Sequence, residues 1–157
     1  MNELGKTWPM LLVFLLLCLG AGWLGAIVTR PAIPGWYAQL VKPSWTPAPW
    51  VFGPVWTTLY VLMAVAAWEV WRKEGWSAAV LIFFTQLVVN ASWSWLFFGL
   101  RRPDIGLAGL LLLVCLVMAA IVSFARVSAL ATGLLAPYGV WVCFAAVLNY
   151  EIWRLNR

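Results

Sequence analysis

The chain has 157 residues, of which 65% are hydrophobic and only 10% are charged. An average soluble domain is ~45–50% apolar and ~25% charged. This composition excludes a disordered chain, a secreted disulfide scaffold and an ordinary soluble enzyme, and the length allows one domain.

Five uncharged, largely apolar runs divide the sequence, and each is long enough to cross a bilayer. A hydrocarbon core of ~30 Å needs about 20 helical residues at ~1.5 Å rise each. A closed β-barrel is excluded because the runs are too long and lack apolar/polar alternation. Residues 1–157 are therefore predicted to form a single all-α integral membrane domain, a bundle of five transmembrane helices. The helices are expected at approximately 9–29, 51–71, 77–100, 105–125 and 130–153.

The net charge of +5 comes from residues at or beyond the ends of the predicted spans. Such positions are typical of side chains that contact lipid headgroups, and they form no stripe suited to a phosphate backbone. The sequence therefore predicts the lipid bilayer as a partner and no nucleic acid. With five spans, six Lys/Arg lie on the C-terminal side and four on the other, which favours a cytoplasmic C-terminus.

The connection between the first two spans, residues 30–49, is the only long one. It contains five prolines, which fix φ and restrict the preceding residue, so we expect it not to extend either helix. Its prolines and aromatic residues predict an ordered cap on one membrane face, with Trp36 and Trp45 as a lid. The alternative is that these aromatic residues belong to an interfacial belt.

The first span also carries small residues four positions apart, in the pairs Ala21/Gly25 and Gly22/Ala26. Such pairs let helix backbones approach closely. The spacing fits packing inside the bundle and contact in a homodimer equally well.

Histidine is absent, which removes the commonest metal ligand and general acid/base. No carboxylate lies in the middle of a span, since Glu69 and Glu151 are near helix ends. Proton-coupled pumps usually need an ionisable residue at depth, so an antiporter is disfavoured. The sequence predicts no metal site and no required cofactor.

The thirteen tryptophans are the strongest positive feature. Several of them share a helical face with amides and small residues at spacings of three and four. Such faces can line a pocket in which a flat apolar ligand stacks on rings and buried amides orient it. The alternative is a packed bundle whose amides bond between helices. The three faces are Trp56, Tyr60 and Met63; Gln86, Asn90, Trp93 and Phe97; and Trp141, Ala145, Leu148 and Asn149.

Four motifs follow one another along the chain. KPSWTPAPW at 42–50 precedes FGPVWTTLY at 52–60; QLVVN at 86–90 precedes Trp93 and FFG at 97–99; PY at 137–138 precedes Trp141; and LNY at 148–150 precedes WR at 153–154. Together they resemble the translocator protein family, also called tryptophan-rich sensory proteins or peripheral-type benzodiazepine receptors. The resemblance is to bacterial members and covers residues 20–156.

The resemblance implies a five-helix bundle, usually dimeric, that binds porphyrins, cholesterol-like sterols and benzodiazepine-site ligands beneath the first loop. By position, Trp56 and Trp141 match two tryptophans implicated in porphyrin handling by bacterial relatives. The pocket positions of the family correspond here to Phe52, Asn90, Ala145 and Leu148. With the faces above, the predicted ligand-binding set is Phe52, Trp56, Tyr60, Asn90, Trp93, Trp141, Ala145 and Leu148.

A sterol-binding pattern of the family, L/V-x-Y-x-K/R, fits Leu148, Tyr150 and Arg154. The pattern by itself is weak, because these residue types often occur together near a helix end.

Four positions depart from the mammalian pattern. Thr46 and Ala48 stand where mammalian members have His and Pro, and Ile105 and Gly109 stand where they have Trp and Asp. Benzodiazepine-site drugs are therefore expected to bind weakly. Because histidine is absent, porphyrin iron would lack its usual axial ligand, so free-base protoporphyrin is the favoured ligand.

Three functions follow from these observations. The first is a receptor or translocator that binds porphyrins and sterol-like molecules in the bundle. The second is an enzyme that degrades porphyrins with light and oxygen, in which Trp56 and Trp141 would react with the excited ligand. The third is a regulatory protein whose interactions respond to the ligand.

Overall fold

The computed structural model describes residues 3–157, with side chains from Thr7 onward. These residues lie mainly in helices, and five of the helices are long and apolar enough to cross a membrane, so the predicted architecture is confirmed. The helices are α1 (Glu3–Ala32, continued by a π-helical turn, Ile33–Tyr37), α2 (Pro49–Glu74), α3 (Ala78–Ser94, continued by a π-helical turn, Trp95–Gly99), α4 (Pro103–Ala125) and α5 (Ala129–Leu155).

The helices form a ring in the order α1, α2, α5, α4, α3, which closes where α3 contacts α1. Short connections force neighbours in sequence to run antiparallel. As a result, one end of the bundle holds the end of α1, the start of α2 and the ends of α3 and α5.

The half of the bundle far from the loop is close-packed. There, α2 presents small side chains to its neighbours, and small residues let membrane helices approach closely. Aromatic and branched side chains of the other helices fill the remaining space. The buried residues include Met63, Ala64, Ala66, Ala67, Val70, Phe83, Phe124 and Leu135.

The prediction that α1 ends near residue 29 is wrong. Pro31 lies inside α1 and Pro34 lies in the π-helical turn, and the chain stays helical as far as Gln39. Proline removes a backbone donor and crowds the preceding turn, and a π-helical turn is one way in which a helix absorbs such an interruption. The loop is consequently shorter than expected, and Trp36 belongs to the helical extension.

The shortened loop, residues 40–48, is fastened to both neighbouring helix ends. The ammonium group of Lys42 donates hydrogen bonds to the carbonyl oxygens of Tyr37 (2.8 Å) and Leu40 (2.7 Å), which closes the end of α1. The side chain of Asn156 accepts from the Val41 amide (2.9 Å) and donates to the Val41 carbonyl (2.8 Å). The loop is therefore an ordered cap, as predicted, held across the end of α5.

An ion cluster closes the opposite end of the bundle. The buried carboxylate of Glu69 lies 2.6 Å from Arg72 and 3.2 Å from Lys73. The hydroxyl of Ser128 donates to Glu69 (3.4 Å) and accepts from the amide of Ala131, so it also caps α5. The cluster joins the end of α2 to the start of α5.

The glycines of α1 are used within the bundle. A methyl group on Gly22 would lie 2.5 Å from the ring of Tyr60, and one on Gly25 would lie 2.8 Å from the hydroxyl of Ser94. Close packing of α1 against α2 and α3 thus accounts for these two residues, and the homodimer stays a prediction.

Candidate functional site: an aromatic cavity below the loop

A cavity of about 500 Å³ lies between α1, α2, α3 and α5 in the half of the bundle nearest the loop. Sites for small molecules and cofactors typically have volumes of ~300–1,000 Å³ and are lined mainly by apolar and aromatic side chains. The predicted ligand-binding residues all line this cavity: Phe52, Trp56, Tyr60, Asn90, Trp93, Trp141, Ala145 and Leu148.

Aromatic rings form most of its walls. Where α2 faces α5, the rings of Phe52 and Trp141 are 5.9 Å apart at their centroids and tilted by 66°. One turn deeper, the rings of Trp56 and Tyr60 are 5.6 Å apart. Trp93 supplies a ring from α3. These surfaces can stack on a flat or rigid apolar molecule.

A chain of hydrogen bonds forms the closed end of the cavity. The hydroxyl of Tyr60 donates to Asn90 Oδ1 (2.5 Å), and Asn90 Nδ2 donates to the hydroxyl of Tyr138 (2.9 Å). Tyr138 in turn donates to Gln86 Oε1 (2.8 Å). Tyr60 and Asn90 face the cavity, whereas Tyr138 and Gln86 lie fully buried behind it. The chain thereby joins α2, α3 and α5.

A second amide positions the α3 wall. Asn149 Oδ1 accepts from the indole nitrogen of Trp93 (3.3 Å), and Asn149 Nδ2 donates to the carbonyl of Pro103 (2.7 Å). The indole of Trp141 differs, because its buried N–H has no hydrogen-bond partner among the described residues. A buried donor of this kind is available to an acceptor on a ligand or to a water molecule.

Arg30 is the one charged side chain among the described residues that line the cavity. It lies in the last turn of α1, is exposed, and forms no ion pair within the described part of the chain. From the sequence, Arg30 was expected only to contact lipid headgroups.

The two tryptophans predicted as a lid do not line the cavity. Trp36 packs on the ring of Phe97 (5.5 Å), and Trp45 packs on that of Phe144 (5.8 Å). Tyr37 lines the cavity from the loop side instead. Trp36 turns away because α1 continues as a helix beyond the predicted end, so neighbouring residues face different directions.

The three predicted helical faces included residues that do not line the cavity and omitted others that do. Met63 and Gln86 lie in the core behind the cavity. The contribution of α1 was missed, although its residues repeat at intervals of three and four, because α1 is apolar on every side and the pattern has no contrast. The missed residues of α1 and its extension are Leu19, Gly22, Trp23, Gly25, Ala26, Thr29, Arg30, Ile33 and Tyr37.

The residues of the sterol pattern do not form one surface. Leu148 is 5% exposed and lines the cavity, whereas Tyr150 is 44% exposed on the outer side of α5. Arg154 pairs with Glu151 at 2.6 Å. Residues two apart on a helix face different directions, which separates Leu148 from Tyr150.

The fold and the cavity define a multi-pass membrane protein in which five helices enclose an aromatic chamber beneath the first loop. The model of the TspO/MBR family matches residues 14–154, and the chain belongs to this family. The family expected from the four motifs is thereby confirmed.

Relatives extend over most of the chain. It is 42% identical to the tryptophan-rich protein TspO of Chlorobaculum tepidum, across 89% of this chain and 91% of that protein. It is 43% identical to the translocator protein of Homo sapiens, across 78% and 75% respectively. It is 36% identical to the tryptophan-rich sensory protein of Cereibacter sphaeroides, across 98% and 95%.

Ala145→Thr tests whether the α5 wall contacts a ligand. Ala145 is half-buried and lines the cavity, so the larger side chain should occupy space that a ligand needs. Overpacking typically costs ~1–3 kcal/mol, so the affinity for protoporphyrin, the ligand that the family resemblance implies, should fall about tenfold in a titration. Val147→Thr places the same hydroxyl on the exposed side of α5 and should leave affinity unchanged. Equal affinities for all three proteins would place Ala145 outside the binding site.

Proposed function

We propose that this protein is a membrane receptor or translocator that binds porphyrins, and other flat or rigid apolar molecules such as sterols, within its cavity. The carrying observation is the convergence of the predicted aromatic and amide residues from three helices on one chamber of about 500 Å³. The names of its relatives, "Translocator protein" and "Tryptophan-rich sensory protein", agree with this class of function.

The walls suit a planar macrocycle. Phe52 and Trp141 lie on one side, from α2 and α5, and Trp93 lies on α3. Each favourable aromatic contact contributes ~0.5–1.5 kcal/mol beyond the area that it buries. A flat ligand that contacts several of these rings therefore gains affinity from its body alone. A flexible chain of the same size would not gain this affinity.

Two donors suit the carboxylates of a porphyrin. The N–H of Trp141 is buried without a partner among the described residues, and the guanidinium of Arg30 is exposed where the cavity meets the membrane surface. Charge-assisted hydrogen bonds to a carboxylate are stronger than neutral ones. A porphyrin would place its apolar macrocycle against the aromatic walls and its acidic groups at the mouth of the cavity.

Binding is favoured over acid–base catalysis by the residues of the cavity. Among the described lining residues, the ionisable side chains are Arg30 and the tyrosines Tyr37 and Tyr60, and arginine keeps its proton. These three side chains do not provide the paired acid and base that hydrolytic or proton-transfer chemistry needs near neutral pH.

The double variant Trp56→Phe and Trp141→Phe tests the site. Loss of ring area and of the Trp141 N–H should weaken protoporphyrin binding about tenfold, at ~0.5–1.5 kcal/mol for each aromatic contact. Porphyrin absorbance is the appropriate signal, because the substitutions alter the fluorescence of the protein. Trp76→Phe with Trp95→Phe changes two exposed tryptophans outside the cavity and is the matched control. If both double variants bind like the wild type, the site assignment fails.

Arg30→Gln tests recognition of the acidic groups. Exposed ion pairs contribute ~0.2–1 kcal/mol, so protoporphyrin affinity should fall about two- to fivefold at low salt, and less at high salt. The dimethyl ester of the same porphyrin should bind the variant and the wild type equally. Arg101→Gln removes a cation that does not line the cavity and should change neither affinity. An equal loss for diacid and ester would show that Arg30 acts through packing and not through charge.

A further inference from the structure

The exposed residues that line the cavity all belong to two neighbouring helices. From α3 and α5, every lining residue is buried or half-buried. From α1 and α2, two tryptophans are the most open, Trp23 at 66% and Trp50 at 76% exposed. The exposed lining residues are Leu19, Trp23, Arg30, Pro49, Trp50, Gly53 and Thr57.

The seam between α1 and α2 changes along its length. At Gly22 the two helices touch, since an added methyl group would lie 2.5 Å from the ring of Tyr60. Towards the loop, Gly53 lines the cavity, and a methyl group added there would meet no atom within 4 Å. The two helices therefore touch at Gly22 and separate towards the loop, which leaves a gap between Gly53 and α1.

The gap lies at the depth of the lipid chains. Gly22, where the two helices touch, and Arg30 are eight residues apart on α1, so the gap extends about 12 Å along the helix at ~1.5 Å per residue. Half of a hydrocarbon core of ~30 Å is about 15 Å. An opening that begins near Arg30 at the membrane surface thus extends over most of one leaflet.

We propose that the gap between α1 and α2 is a lateral portal through which ligands pass directly between the bilayer and the cavity, with Trp23 and Gly53 on opposite edges. The portal rests on the proposed function, because it serves the same cavity. Its edges are apolar apart from Arg30 and Thr57, and the hydroxyl of Thr57 donates to the Gly53 carbonyl. Such edges suit an amphiphile whose body enters from the lipid while its acidic group stays at the surface. The loop is fastened across the end of α5 by Val41 and Asn156, which favours the membrane side as the route.

Narrowing and widening the portal should change rates in opposite directions. Gly53→Leu adds a side chain where space is open, and Trp23→Ala removes an exposed ring from the other edge. With the protein in lipid nanodiscs, stopped-flow mixing with protoporphyrin should show association and dissociation about tenfold slower for Gly53→Leu and several-fold faster for Trp23→Ala. Rates among variants of one interface commonly span ~1–3 decades, so such changes are measurable. Because a portal affects both rates, the Kd should change less than either rate.

Two controls test whether the effect is local. Gly133→Leu makes the same substitution at an exposed glycine of α5 that has open space around it and does not line the cavity. Trp95→Ala removes an exposed ring from α3 outside the cavity. Both should keep wild-type rates.

The outcomes separate the portal from the binding site. Wild-type rates in both portal variants, with normal affinity, would overturn the portal alone. A Gly53→Leu protein with weaker affinity and an unchanged association rate would also overturn it, because leucine would then only fill the cavity. Wild-type rates with an altered oligomeric state would assign the gap to contact with a second copy. No binding of protoporphyrin by the wild type would overturn the proposed function and the portal with it.

Discussion

Tyr60, Asn90, Tyr138 and Gln86 form a chain of hydrogen bonds near the midpoints of α2, α3 and α5. At that depth no bulk water is available to satisfy a polar group, so each of these side chains depends on the others. Leaving one such buried group without its partner costs ~1–3 kcal/mol. The chain fixes where three helices stand relative to one another, and the cavity begins on its loop side.

This chain of hydrogen bonds divides the bundle into two halves. On one side, alanines of α2 and the close approach of neighbouring helices leave little free volume. On the other side, large rings stand against each other at tilted angles and enclose space. The ion cluster around Glu69 closes the packed end, and the contact of Asn156 with Val41 closes the hollow end. The cavity therefore lies between two bundle ends that ion pairs and hydrogen bonds hold together.

Helix number, helix type and most of the cavity wall could be predicted from the sequence. Apolar runs of spanning length define five helices, and the spacing of Trp56 with Tyr60, or of Trp141 with Ala145, places each pair on one face. The assignment of those faces to one chamber came from the family motifs, because spacing alone fits a packed core as well. Gln86 shows this ambiguity, since it shares a face with Asn90 but lies behind the cavity.

The end of α1 and its role as a cavity wall could not be predicted from local sequence rules. Pro31 and Pro34 predicted the end of α1, but a π-helical turn carries the helix past them. That extension moved Trp36 away from the cavity. The role of α1 as a wall was hidden for a different reason. In a membrane, residues that face lipid and residues that face a ligand are both apolar, so α1 offered no polar face against which Leu19 and Trp23 could be recognised.

The most direct test of the account is a structure of the protein in a lipid bilayer with protoporphyrin bound. The account predicts a macrocycle inside the bundle, in contact with the rings of Trp56 and Trp141, with an acidic group directed towards Arg30. A porphyrin on the outer surface of α5, against Tyr150 and Arg154, would contradict it.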